Sequence, residues 1–150
     1  MDNTILAALL KRHEGFAKAI GLRLTKAEAG YAEGEIDINQ MHHNPIGSVH
    51  GGCIFTLADT IGGAAVASNG VECTTLSSYI DYLNAAIESK KLIAKATPVR
   101  VGKKVCVYNV NVYDEAERHI AKVSITYYVM NRDKNTRNRD KKHSEGVIKT

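Results

Sequence analysis

The chain has 150 residues, 20 Lys and Arg against 16 Asp and Glu, a formal net charge of +4 and an apolar fraction of 44%. That length suits one domain with a buried core, and neither the apolar fraction nor the two prolines depart from globular composition. No apolar segment is long enough to span a membrane. Asp2 and a broken apolar run, Ile5 to Leu10, precede Lys11-Arg12, which is the wrong charge order for a signal peptide. Cys53, Cys73 and Cys106 are odd in number and form no CxxC pair, so reduced thiols and a cytoplasmic location are expected.

The elements follow from periodicity and punctuation. Thr4 to Ile20 carries apolar residues near helical spacing, interrupted at Gly15, and Gly21 marks its end. Leu22 to Ala29 and Tyr31 to Ile38 read as strands joined at Gly30, the second alternating polar and apolar residues. A glycine-rich loop with three histidines, His42, His43 and His50, runs to Gly52. Gly52 to Ser68 is then a helix with apolar residues nearly all round, the pattern of a helix enclosed by its domain. Four strands follow, at about Thr74 to Tyr82, Lys91 to Val101, Lys104 to Tyr113 and His119 to Met130. This order predicts an α+β domain over residues 1–130.

Residues 131–150 hold seven Lys and Arg against three Asp and Glu, whereas residues 1–130 hold thirteen of each. The charge excess therefore sits in a basic polar tail, expected to be disordered or frayed. With no aromatic residue there for base stacking, no nucleic-acid partner is expected.

Asp59 is the residue that needs explaining. A carboxylate on a buried helix is costly unless it is paired, hydrogen-bonded or reached by water. It is either a satisfied structural carboxylate or one wall of a working cleft, and physics alone leaves both readings open.

The stretch Asn44 to His50-Gly51-Gly52, followed by Leu57-Ala58-Asp59-Thr60, closely resembles the PaaI-like (phenylacetate-pathway type) hotdog-fold acyl-CoA thioesterases. The spacing Asn-x5-His-Gly-Gly, with an Asp seven residues on, carries this resemblance, which extends over residues 15 to 130. It implies a hotdog fold, a curved antiparallel sheet wrapped around a central helix. It implies hydrolysis of acyl-CoA thioesters without a cofactor, in a homodimer or homotetramer whose site lies at the subunit interface. Related members act on medium- or long-chain acyl groups or on hydroxybenzoyl-CoA.

The resemblance also assigns roles. Asp59 matches the carboxylate that attacks the thioester or activates water. Gly51 matches the glycine whose amide, at the helix N-terminus, holds the thioester oxygen. Asn44 matches an amide that faces the neighbouring subunit's carboxylate, although an Asn before Pro45 also starts turns. Thr75 falls at a hydroxyl position of the strand after the helix, where it orients the carboxylate or water, and Ser77 is expected on the same strand face as a substitute. Where many relatives have a proline beyond that strand, this chain has Asn84-Ala85-Ala86. His50 and Gly52 shape the loop and line the site. Arg100, Lys103 and Lys104 are candidates for the phosphates of coenzyme A, or else a solvated hairpin end. His42, His43, His50 and Cys53 match no common zinc spacing, so no metal is expected.

Two other readings stay open. A hotdog hydratase or dehydratase would pair a loop histidine, here His50, with Asp59 for proton transfer. A non-catalytic acyl-CoA-binding module would use the same cleft without chemistry.

Overall fold

The computed structural model describes residues 9–11 and 15–130. Much of the expected N-terminal helix, residues 4–8 and 12–14, and the whole basic tail lie outside the described residues. Within them a short helix, α1 (Phe16–Ala19), starts after Gly15, whose φ of +80° breaks helical geometry, so the expected helix does not run through that glycine. Gly21, at φ +79°, ends the segment as its position predicts.

Six strands follow, β1 (Arg23–Glu28), β2 (Tyr31–Asp37), β3 (Glu72–Tyr82), β4 (Lys91–Val101), β5 (Val105–Asp114) and β6 (His119–Met130). They form one antiparallel sheet in the order β1-β2-β4-β5-β6-β3. Between β2 and β3 runs the long helix α2 (Gly51–Ala67), which packs on one face of this sheet. One long helix against an open antiparallel sheet is the hotdog fold.

Alternation explains which face the helix meets. Along β5 and β6, Tyr108, Val110, Val112, Ala121, Val123, Ile125 and Tyr127 are buried, while the intervening residues look outward. Each fully buried Leu, Ile or Val on this face contributes about 1.5–3 kcal/mol of hydrophobic stabilisation. Close approach is set by missing side chains. A Cβ on Gly34 would collide with Ile61, and one on Gly62 with the Tyr127 hydroxyl, so both glycines let α2 settle onto the sheet.

The helix is not enclosed on every side. Ile54, Leu57, Ala58, Ile61, Ala65 and Val66 are buried, but Phe55, Thr56, Asp59, Thr60, Gly63 and Ala67 remain half-buried. One sheet covers one side of an apolar helix, and this stripe is the remainder. At the sheet's edge, among the described residues, β3 pairs only with β6, and its outward row includes exposed Tyr79.

Candidate active site

The loop before α2 is held rigid by its own polar groups. His42 is buried, with Nδ1 accepting from Asn39 N–H at 3.0 Å and Nε2 bonded to the Ile20 carbonyl at 2.8 Å. It is a satisfied structural histidine with no nitrogen left for a ligand. Asn44 Oδ1 accepts from the N–H groups of Ile46 and Ser48, both at 3.1 Å, and its Nδ2 donates to Ser48 Oγ at 2.8 Å. This closes a tight turn in which Gly47 takes φ +85°. The turn reading of Asn44 is therefore realised, and one Nδ2 hydrogen remains for another acceptor.

His50 is the N-cap of α2. Its Nδ1 accepts from Gly52 N–H at 2.8 Å, and its carbonyl accepts from Cys53 N–H at 2.9 Å. Among the described residues, the Gly51 N–H is the donor of this first turn left without an acceptor. His50 thus consumes its neighbours' donors and leaves one amide available, at the positive end of a 17-residue helix.

Asp59 lies two turns further along. Its Oδ1 accepts from Thr75 Oγ1 at 2.7 Å, and its backbone carbonyl accepts from the buried Tyr127 hydroxyl at 2.9 Å. The side chain is half-buried and opens into a groove of about 410 Å³ between α2 and β3, which Gly63, Ala67, Cys73 and Tyr127 help to line.

Asn44 and Gly51 open elsewhere. They line a second pocket of about 400 Å³ together with Ile54, Tyr82 and Asn84. The eight residues from Gly51 to Asp59 rise about 12 Å along the helix. One chain therefore carries two separate half-sites, a carboxylate with its hydroxyl and an amide pair with a free donor. A carbonyl group cannot touch both within one chain.

Residues 46–121, which contain Gly51, Asp59 and Thr75 but not Asn44, match the family model of the thioesterase superfamily. The chain belongs to the thioesterase superfamily. An Archaeoglobus fulgidus protein carrying a provisional esterase name is 32% identical over 122 residues, 81% of this chain and 79% of its own. The PaaI acyl-coenzyme A thioesterase of Escherichia coli is 27% identical over 115 residues, 77% of this chain and 82% of its own. Its structure superposes with a TM-score of 0.79 at 25% identity, covering 84% of this chain and 91% of that one. A hypothetical thioesterase protein of Streptococcus pneumoniae, solved with coenzyme A, is 30% identical with a TM-score of 0.70, covering 75% of this chain and 88% of that one. That streptococcal protein has also been solved with an aspartate and with a threonine replaced by alanine, sixteen positions apart. Asp59 and Thr75 are separated by the same interval.

As a PaaI-like hotdog thioesterase, the protein does not place every expected residue at its half-sites. Ser77 does not share the face of Thr75. Thr75 pairs with Tyr127 and Ser77 with Thr126, so Leu76 is an extra residue in a β-bulge that turns Ser77 to the outer face. Arg100, Lys103 and Lys104 line neither pocket. They surround the β4–β5 connection, where Lys103 borders a separate depression with Asn69, Val71 and Val129. Cys53, although at the helix start, has its thiol pushed up to about 11 by burial and stays protonated. His42, His43, His50 and Cys53 do not converge, and among the described residues no three His, Cys, Asp or Glu side chains do.

Two residues that hold this candidate site carry no signal in the sequence. Tyr127 holds the Asp59 turn from below, and Tyr82 donates to the Gly51 carbonyl at 2.9 Å. Both sit in strands where an inward tyrosine reads only as core.

Proposed function

We propose that the protein hydrolyses acyl-CoA thioesters at a site shared by two copies of the chain, Asp59 and Thr75 from one copy facing Gly51 and Asn44 of the other. The separation of Asp59 from Gly51 along α2 carries this reading. In a two-fold dimer, contact between Asp59 and the partner's Gly51 implies the reciprocal contact, so two equivalent sites form together. The half-open stripe of α2 and the unpaired edge of β3 are the surfaces such a partner would cover. The bound coenzyme A of the streptococcal neighbour and the name of the E. coli relative support acyl-CoA as the substrate class.

The chemistry follows from the donors and acceptors present. Thr75 occupies Oδ1 of Asp59, leaving Oδ2 to take a proton. A water loses that proton as its oxygen attacks the thioester carbonyl carbon. The carbonyl oxygen gains charge against the partner's Gly51 N–H and the spare hydrogen of the partner's Asn44 amide. Collapse breaks the C–S bond and expels the thiolate, which takes the proton held by Asp59. The acyl tail lies in the groove between α2 and β3, next to Asp59. No disulfide joins Cys53, Cys73 and Cys106, which accords with a cytoplasmic location.

The test is thiol release from a panel of short, medium, long and aromatic acyl-CoAs, comparing wild type with Asp59→Asn. Release that collapses in the variant supports the reading. Tight acyl-CoA binding with no release would transfer the site to a binding function, and water addition to a 2-enoyl thioester without release would make it a hydratase.

A further inference from the structure

We infer that Tyr82 is a positioning residue for the carbonyl-binding amide, and that the bulge at Leu76 exists to bring it there; this rests on the proposed hydrolysis. Tyr82 is the last residue of β3, the strand that also carries Thr75. Its hydroxyl donates to the Gly51 carbonyl at 2.9 Å, and a Cβ on residue 51 would lie 2.9 Å from that oxygen. The ring stands over Gly51 and forms a wall of the pocket it shares with Asn44. Gly51 therefore lacks a side chain for Tyr82's sake as well as for a substrate's.

Parity makes the bulge necessary. Thr75 and Tyr82 are seven residues apart, and in a regular strand an odd interval sends two side chains to opposite faces. In β3 the unpaired Leu76 reverses the alternation. Thr75 faces inward opposite buried Tyr127, and Tyr82 faces inward opposite buried Ala121. One edge strand thus grips α2 at two points, the Asp59 carboxylate and the Gly51 carbonyl, which lies one Cα away from the Gly51 N–H. Burial raises the Tyr82 hydroxyl above its ordinary value, so it remains a donor throughout the neutral range.

The test separates the carbonyl from the rest of the ligand. Binding of two non-hydrolysable CoA ligands is measured on wild type and Tyr82→Phe: a ketone analogue that keeps a carbonyl at the reacting position, and an S-alkyl thioether that lacks it. Losing one hydrogen bond that aims the amide should weaken the ketone analogue roughly five- to tenfold and lower kcat by a similar factor. Thioether affinity and oligomeric state should stay as in wild type, and the thermal midpoint should fall by no more than about a few degrees. Equal weakening of both analogues, or no change in either, would make Tyr82 a pocket wall only and overturn the inference. A wild type that releases no thiol and binds neither analogue would remove the hydrolase reading, and this inference with it. Tyr82→Leu, which loses ring and hydroxyl together, must weaken both analogues if the ring also walls the pocket; unchanged thioether binding there would contradict the placement of Tyr82.

Discussion

Thr75 Oγ1 donates to Asp59 Oδ1 at 2.7 Å, from an edge strand to a helix, across sixteen residues of chain. The bond fixes one oxygen of a carboxylate that lines the groove. If Asp59 activates water, Asp59→Asn, which cannot take a proton, should lower kcat by about two to four orders of magnitude. Thr75→Ala should lower kcat about five- to twentyfold with KM little changed, because it frees the carboxylate to rotate without removing it. Steady-state thiol release reads both. In a single turnover in 18O-labelled water, label that enters the Asp59 carboxylate rather than the acid would require an acyl anhydride opened at the Asp59 carbonyl, and so would identify Asp59 as the nucleophile.

Asp114 ties the β3–β4 connection to the β5–β6 turn. It is 4% exposed and accepts from Arg118 N–H at 2.9 Å, Arg118 Nε at 3.0 Å and Ala116 N–H at 3.1 Å. Burial opposes its ionisation, but the bonds from Arg118 and Ala116 outweigh it and hold the carboxyl below the usual range. A folded-state value below the unfolded one, about 3.9, means that its stabilisation is complete above that pH and is lost as pH falls through the folded value. Thermal midpoints should therefore fall steeply below about pH 4. Asp114→Asn should cost about 2 kcal/mol at neutral pH and flatten that acid limb. Glu35 and Asp37, held low by Arg23, also titrate there, but these are surface pairs and contribute less. A thermal series from pH 3 to 8 on both proteins checks the difference.

Much of this architecture was legible in the residues. The bounds of β4 and β6, the helix beginning within one residue of Gly52, and the order of elements all follow from period and glycine punctuation. Thr75 was reachable only through the resemblance, by counting back from Tyr82-Leu83-Asn84-Ala85 to the hydroxyl position of the strand after the helix. The bulge at Leu76 was not, since no local signal distinguishes Thr-Leu-Ser in a bulge from the same residues in a regular strand, and one extra residue moved Ser77 to the wrong face. The separation of Gly51 from Asp59 was present in the numbering, but its consequence needed both pockets to be seen opening apart. Tyr82 and Tyr127 act through backbone carbonyls, which a sequence pattern does not display.

The groove beside Asp59 predicts how acyl length is measured. Successive helix turns present Asp59, Gly63 and Ala67, and the walls are small enough to admit a chain. A Cβ on Gly63 would stand 3.8 Å from the Tyr127 ring, so added bulk there projects into the groove without disturbing the core. Ala67→Leu, at the far end, should lower kcat/KM for long acyl chains roughly tenfold while leaving short ones near wild type. Gly63→Val, closer to the carboxylate, should extend the loss to medium chains. Equal losses at every chain length would place the acyl group outside this groove.

Mixed oligomers test the shared site directly. Asp59→Asn and Gly51→Val each disable one half-site, and each homodimer should be inactive. In a heterodimer of the two, the intact Asp59 of one chain meets the intact Gly51 of the other at one of two positions. Co-refolding equal amounts gives half heterodimers with one working site each, so about a quarter of wild-type thiol release should return. If a single chain supplied both groups, every chain in the mixture would lack one of them and no activity would return. Val at position 51 is chosen because it must displace the Tyr82 hydroxyl, so the amide is misplaced even where the helix still forms.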